Sequence, residues 1–114
     1  MIRNAILILV LVTLAFVAKA ATPLDNKLNM MYSSLKGCEF TVTSGKRSPE
    51  HNRRVGGAPN SYHLTDRARD IVSTKQCMKK LGQKALDEGL SVIYYSSHVH
   101  IDDRGYQITF TKDK

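Results

Sequence analysis

A few histidines and aspartates in this chain have the spacing of a metal site. His63 lies seven residues before Asp70 in the run SYHLTDRARD, and a later run, HVHID, contains His98 and His100. A gap of seven residues exceeds one helical turn and puts the two side chains on opposite faces of a strand, so a loop feeding a strand fits it. A histidine and an aspartate so placed, joined by a histidine from a distant strand, make the three ligands of a catalytic zinc site with an open fourth position. The sequence thus predicts that His63, Asp70 and His100 bind Zn²⁺.

The HVHID run predicts a short strand with one polar face. His98, His100 and Asp102 are each two residues apart, so their side chains leave the same face of a strand. Val99 and Ile101 then face the core. Asp102 is placed to hold a ligand histidine in the correct tautomer. His98, beside the ligand, is placed to take a proton from water or to stabilise an oxyanion.

The remaining patterns predict an α+β domain in which a small antiparallel sheet is flanked by helices. Helices are predicted where apolar residues recur at steps of three and four, or where a capping residue opens a turn, at residues 23–36, 48–55 and 74–88. Runs of β-branched, aromatic or alternating residues predict strands at 40–44, 68–72, 90–95, 99–102 and 106–111. The last three are predicted to form an antiparallel meander. The glycine-rich loop 56–60 is predicted to deliver Ser61 and His63 to the site.

The first twenty residues are predicted to be a secretory signal peptide. Arg3 precedes an apolar run at 5–17, and Ala18-Lys19-Ala20 is a small-x-small cleavage site. An uncleaved anchor is the alternative, although the run is shorter than the roughly 20 residues that span a bilayer. Cleavage would leave a single domain, 21–114, secreted or periplasmic, monomeric and without a membrane anchor.

Two cysteines, Cys38 and Cys77, are present. In an exported chain of this size they most simply form one disulfide. The alternative is a thiolate that binds zinc or acts as a nucleophile, but neither cysteine has a histidine at a metal-ligand spacing.

Basic residues dominate the charge. The net charge is +7, and removing the predicted signal peptide, with its two cations, leaves +5. Many of the basic residues surround or follow the metal motif: Lys46, Arg47, Arg53, Arg54, Arg67, Arg69, Lys75, Lys79, Lys80 and Lys84. A basic surface suits anionic partners, and export favours cell-wall polymers over nucleic acid. The chain also lacks a nucleic-acid recognition motif and an aromatic stacking platform, so no nucleic-acid partner is predicted.

The motifs also occur in a known order. Ser61, His63, Ala68 and Asp70 match the signature Ser-x-His-x-x-Gly-x-Ala-x-Asp, which is followed by His-x-Asp or His-x-His with the last metal ligand at the position of His100. Upstream, SGKRSPEHN aligns with a Gly-x-Arg-Ser segment, and Arg47 falls on its arginine. In these motifs residues 44–104 resemble the zinc D-alanyl-D-alanine carboxypeptidases and peptidoglycan-cleaving endolysins of the hedgehog and lysostaphin-like superfamily.

The resemblance implies an exported zinc metallopeptidase acting on peptidoglycan stem peptides, with a hedgehog/D-Ala-D-Ala peptidase-like fold. Whether the enzyme trims a terminal D-alanine or cuts an internal bond stays open. Arg47 is then the candidate for clamping a substrate carboxylate through its planar guanidinium. Ser61 would hydrogen-bond near the metal or the substrate, or serve only as a turn residue. Some relatives, including the lysostaphin-like branch, use the first histidine of a His-x-His pair as His98 is assigned here.

Two residues depart from the family pattern. Asp66 replaces the glycine of the first motif, and a left-handed backbone there suits aspartate better than most residues. Ser97 stands where many members carry a catalytic Asp or Glu, and a serine is no substitute for that base. Two alternatives follow: Asp66 supplies the missing carboxylate, or the domain binds zinc and a partner without turnover, as hedgehog domains are usually read.

Overall fold

The structure is a computed structural model that describes residues 21–112, so the predicted signal peptide lies outside the described residues. Five strands form one sheet: β1 (Thr41–Ser44), β2 (Ala68–Val72), β3 (Ser91–Tyr94), β4 (Val99–Asp102) and β5 (Thr109–Thr111). Their spatial order is β1-β2-β4-β3-β5. Helices α1 (Pro23–Ser34), α2 (Pro49–Arg54) and α3 (Lys75–Asp87), with a 3₁₀ turn at Tyr62–Thr65, complete the fold. The predicted α+β class is confirmed.

The last strand does not extend a meander. β3 and β4 form the predicted antiparallel hairpin, but β5 pairs with β3, in parallel, and the sheet is therefore mixed. Both edges of β4 are already taken, by β2 and β3, so the returning chain joins the sheet at the free edge of β3. The predicted strand at 106–111 is also shorter, since β5 begins at Thr109. Before it, the Ser91 hydroxyl donates to the Tyr106 carbonyl and accepts from the Ile108 N–H.

The helices begin at side chains that satisfy their free N–H groups. Thr22 and Asp25 form a reciprocal capping box at the start of α1. Ser48 caps α2, and Thr74 accepts a hydrogen bond from the backbone N–H of Cys77 at the start of α3. These caps place the helix starts within a residue or two of the predicted positions. Among residues 21–112, no helix combines the length and the hydrophobicity needed to cross a membrane.

The hydrophobic core packs against one face of the sheet, and the predicted site lies on the other face. Along β2 and β4, Ile71, Val99 and Ile101 are fully buried, and they pack with residues of α1 and α3 such as Leu28 and Leu81. Because side chains alternate across a strand, the residues between them, Asp70 and His100 among them, point to the opposite face. The core-facing pattern therefore fixes which polar residues meet on the other side.

Arg69 is not part of a solvated basic surface. Its side chain is buried, and its guanidinium pairs with Asp25 at 3.0 Å and with Asp66 at 2.9 Å, which ties α1 to β2. Asp66 adopts the left-handed backbone expected at a glycine position, with φ of 62°. The ion pair with Arg69 directs its carboxylate toward α1.

The predicted disulfide is present and links Cys38, after α1, to Cys77 in α3. It closes a loop with a sequence separation of 39. Replacing both cysteines by serine is expected to lower the free energy of unfolding by about 3 to 4 kcal/mol, because the unfolded chain regains loop entropy. Urea denaturation of the double variant beside the wild type measures this loss, and identical midpoints would contradict it.

Candidate metal centre

Two of the predicted ligands lie directly opposite each other on neighbouring strands. Asp70 in β2 pairs with His100 in β4, so both side chains leave the same face of the sheet. His63 comes from the 3₁₀ turn, which Ser61 caps by accepting a hydrogen bond from the His63 backbone N–H. His63 Nε2 and His100 Nδ1 each lie 3.1 Å from Asp70 Oδ1. One ligand atom from each of the three residues lies within 4.8 Å of the others.

The outer nitrogens of the two imidazoles fix their tautomers. His63 Nδ1 lies 2.7 Å from the carbonyl oxygen of Gly45, which only accepts hydrogen bonds, so Nδ1 carries the proton and donates it. His100 Nε2 lies 2.7 Å from Asp102 Oδ2 and donates in the same way. His63 Nε2 and His100 Nδ1 therefore present lone pairs to the point where Asp70 Oδ1 lies.

Three acceptor atoms converging on one point require a cation. Two neutral imidazole nitrogens and a carboxylate oxygen repel one another unless a proton or a metal ion lies between them. All three residues are buried, so solvent does little to relieve the repulsion. Two imidazoles with one carboxylate make a donor set that suits a first-row divalent metal such as zinc. The residues present thus fit the predicted ion.

His63, Asp70 and His100 together are called the metal cluster below. Charges around it also favour a cation there. Burial would raise the pKa of Asp70, but in the absence of an ion a proton shared with His100 or His63 outweighs burial and holds that pKa well below its usual range. Burial would lower the pKa of His100, but hydrogen bonds to Asp102 and Asp70 raise it above its ordinary value. Both directions show that positive charge between the carboxylates is stabilised.

Asp102 orients His100 through a hydrogen bond to the imidazole nitrogen that points away from Asp70. It is fully buried, and besides its bond to His100 it accepts two hydrogen bonds from the Arg104 guanidinium, at 2.6 and 2.8 Å. Burial acts to raise its pKa, but Arg104 and His100 lower it to about 2. Asp102 stays ionised through the neutral range and holds the proton of His100 on Nε2. Arg104, which sequence reasoning missed, keeps this buried carboxylate paired.

Arg47 contacts the metal cluster directly. Its Nη2 donates to Asp70 Oδ2 at 2.9 Å, and its Nε donates to Ser44 Oγ at 3.0 Å. Its backbone N–H bonds the His63 carbonyl, which anchors the 3₁₀ turn. Arg47 therefore contacts Oδ2 of Asp70, whereas the two histidines contact Oδ1.

His98 stands beside the cluster without joining it. Its Nε2 lies 3.9 Å from Asp70 Oδ1, and its ring stacks on Tyr95 with centroids 4.3 Å apart. The hydroxyl of Ser97 lies 2.9 Å from His98 Nδ1, so Nε2 is the nitrogen that faces the cluster. Burial lowers the pKa of His98, although the Asp70 carboxylate opposes the effect. Asp66 is turned toward Arg69 instead, and does not join the cluster.

Comparison with known proteins identifies the family. The profile described as Peptidase M15 matches residues 12–102. The chain belongs to the Peptidase M15 family. A curated relative, the zinc D-Ala-D-Ala carboxypeptidase of Streptomyces albus G, is 32% identical over 81 residues, which is 66% of this chain and 32% of that protein. This M15 chain thus spans about a third of the length of that relative.

The metal cluster of this M15 domain lies in a cleft of about 680 Å³. Residues of the loop from Val55 to Ser61 line the cleft, and so do Phe110 in β5 and Lys112 just after that strand. His98 and Tyr95 also line it. A second opening, of about 410 Å³, lies beside Asp25 and Arg69 and does not include the cluster.

Asn52 holds the Arg47 side chain, and no motif pointed to it. Its side-chain oxygen accepts from Arg47 Nη1 at 3.2 Å, and its amide nitrogen donates to the Ala58 carbonyl at 2.7 Å. Asn52 is buried, and Gly57 packs so tightly on it that a Cβ there would lie 2.0 Å from the Asn52 oxygen. The only sequence signal was a glycine pair following a short helix.

Replacing Asn52 by leucine is expected to destabilise the M15 domain by about 2 to 4 kcal/mol, because a half-buried N–H of Arg47 and the Ala58 carbonyl lose their partner. Thermal unfolding followed by circular dichroism measures the change. Asn26→Leu, at an exposed position in α1, is the matched control and should stay within about 0.5 kcal/mol of the wild type. Equal melting temperatures for the two variants would show that Asn52 does not stabilise the domain through Arg47 and Ala58.

Proposed function

We propose that this chain is an exported zinc metallopeptidase that hydrolyses peptidoglycan stem peptides, as a D-alanyl-D-alanine carboxypeptidase or endopeptidase. The observation that carries the proposal is the convergence of His63, Asp70 and His100 lone pairs in an open cleft of an M15 chain. The name of the Streptomyces albus G relative supports zinc and the D-alanyl substrate class.

Zinc held by these three residues would supply a water nucleophile near neutral pH and polarise the scissile carbonyl. The protein's own residues prepare the site for it. Gly45 and Asp102 keep each imidazole in the tautomer that presents its lone pair. Because Asp102 and Arg104 are themselves paired, His100 is held in place before any ion binds.

His98 is the proposed general base. Its Nε2 faces the cleft close to Asp70, and the Tyr95 stack holds the ring in that orientation. The nitrogen accepts a proton from the attacking water and can pass it to the departing amine. The serine at position 97 contacts the other nitrogen of this ring, so it supports the histidine rather than replacing the usual acid.

Arg47 is the proposed substrate clamp. A guanidinium has five N–H donors. Ser44, Asn52 and Asp70 each accept one of them. The two remaining N–H groups belong to the terminal nitrogens beside the metal cluster, where they can donate to a substrate carboxylate or carbonyl oxygen. Ser61, which lines the same cleft, is the second proposed contact with substrate.

The proposed location is outside the cytoplasm, secreted or periplasmic. The Cys38–Cys77 disulfide is of a kind that persists in oxidising compartments. The predicted signal peptide at residues 1–20 agrees with it. The proposed partners are accordingly wall peptides and not nucleic acid, and the domain is proposed to act as a monomer.

Hydrolysis of purified peptidoglycan tests the function. Zinc-loaded protein should release amine groups or free D-alanine from the wall, chelation should stop the release, and added zinc should restore it. Product masses distinguish loss of a terminal D-alanine from cleavage of an internal bond. Release that is unaffected by a chelator would overturn the metallopeptidase proposal.

A zinc-containing binding domain is the second candidate, because Ser97 stands at the position of the usual catalytic acid. Such a domain would retain wall fragments in a pull-down and show no hydrolysis at any zinc concentration. Turnover by the wild type, lost on removing zinc, would exclude this candidate.

A further inference from the structure

A row of side chains crosses the site face of the sheet from the metal cluster to its far edge. Asp70 lies opposite His100, His100 opposite Ile93, and Ile93 beside Phe110 in the parallel pair. Residues paired in this way share a face, so Phe110 lies on the same face as the metal ligands, two strands beyond His100. Both Ile93 and Phe110 line the cleft.

Phe110, at the end of this row, is a large apolar side chain that is partly exposed to solvent. It is 46% exposed although its neighbour in the row, Ile93, is buried. Adjacent strands are about 4.8 Å apart, so Phe110 lies roughly 10 Å from His100, the distance spanned by about three residues of an extended peptide. A peptide cut at the metal cluster and lying across the strands would therefore reach Phe110 with its third residue from the bond.

The charged side chains that line the cleft are mostly positive. Asp70 is the one carboxylate among the described residues that line the cleft, against three cations, Arg47, Arg104 and Lys112. Arg47 and Arg104 are each paired with an aspartate of the site, whereas Lys112 forms no ion pair within residues 21–112. A backbone hydrogen bond of 2.8 Å from Lys112 to the Tyr94 carbonyl fixes the lysine beside Phe110.

We propose that Phe110 and Lys112 form a distal subsite for a carboxylate-bearing residue of the peptide substrate, about three residues from the bond that is cut. The inference rests on the proposed peptidase function and adds a substrate class to it: acidic peptides. Phe110 packs against the aliphatic part of the residue, and the Lys112 ammonium pairs with its carboxylate.

Two matched peptide pairs test the subsite. Each pair differs only in glutamate or glutamine at the third residue from the scissile bond, one pair on each side of that bond. The wild type should cleave the glutamate member of one pair with a kcat/KM roughly 5- to 10-fold higher. The preference should shrink as salt is raised. No preference in either pair would overturn the subsite.

Variants of Lys112 and Phe110 test whether these two residues cause the preference for the glutamate peptide. In Lys112→Gln the two members of the pair should be cleaved equally, and in Lys112→Glu the glutamine peptide should be preferred. Lys79→Gln, at an exposed position in α3, removes the same charge and should keep the wild-type preference. Phe110→Ala should raise KM for both peptides, and Phe110→Leu should restore it. A preference that survives in Lys112→Gln would assign it elsewhere and overturn the proposal.

The same peptides separate failure of the subsite from failure of the function. If the wild type cleaves none of them, the peptidase proposal is wrong, and equilibrium binding of each peptide to zinc-loaded protein then measures the subsite alone. Tighter binding of the glutamate peptide by the wild type, lost in Lys112→Gln, would support the subsite. Equal binding of both peptides would overturn it.

Discussion

The double variant His63→Ala, His100→Ala is expected to bind no zinc and to hydrolyse wall peptides at the background rate. It removes two of the three ligands and leaves Asp70, whose outer oxygen already pairs with Arg47. One carboxylate in that state is too weak a site to retain the ion. Elemental analysis of protein dialysed against a metal-free buffer gives the zinc content, and release of free amines gives the activity.

His51→Ala is the matched control for this variant. His51 is exposed in α2 and does not belong to the metal cluster, so its loss should change neither zinc content nor turnover. Circular dichroism of all variants checks that the fold persists. One equivalent of zinc in the double variant would show that the ion is bound elsewhere.

His98→Ala should keep its zinc and lose turnover, with kcat reduced by about 100- to 10,000-fold. The imidazole lies against the metal cluster without occupying a ligand position, so removing it takes away a proton acceptor and not a metal donor. Metal content and kcat measured on the same preparation separate the two roles. Loss of zinc in this variant would make His98 a ligand.

The rival base is Asp66, and Asp66→Gly tests it. Because the Asp66 carboxylate pairs with Arg69, and glycine accepts its left-handed backbone without cost, this variant should retain nearly full kcat. If Asp66→Gly abolished hydrolysis while His98→Ala preserved it, the assignment of the base to His98 would be wrong.

The convergence of His63, Asp70 and His100 could be predicted from the sequence because few side-chain types make a zinc site and the order of the motifs was informative. The spacing of two residues predicted that His98, His100 and Asp102 share one face of a strand. The structure places all three on the side of the sheet that carries the site. The helix positions could be predicted from local signals, which were the apolar periodicity of residues 23–36 and the capping residues Ser48 and Thr74. These features depend on neighbours in the chain, which a sequence displays directly.

The features that sequence reasoning missed depend on long-range packing. Arg69 is buried in part by its contact with Asp25, 44 residues away, and the sequence gives no sign of that contact. The parallel pairing of β5 follows from β4 having no free edge, which is a property of the whole sheet. Asn52 matters only because Arg47 and Ala58 converge on it. None of these contacts leaves a periodic or spacing signal.

The strand order has a consequence for how the chain acquires its site. Because β4 lies between β2 and β3, the sheet cannot grow one strand at a time along the chain. Pairing of β4 with β2 is the step that brings His100 opposite Asp70. Pairing of these two strands and the meeting of Asp70 with His100 are thus the same event. An ion held across β2 and β4 would clamp the N-terminal and C-terminal parts of the domain together, so metal supply would set folding yield as well as activity.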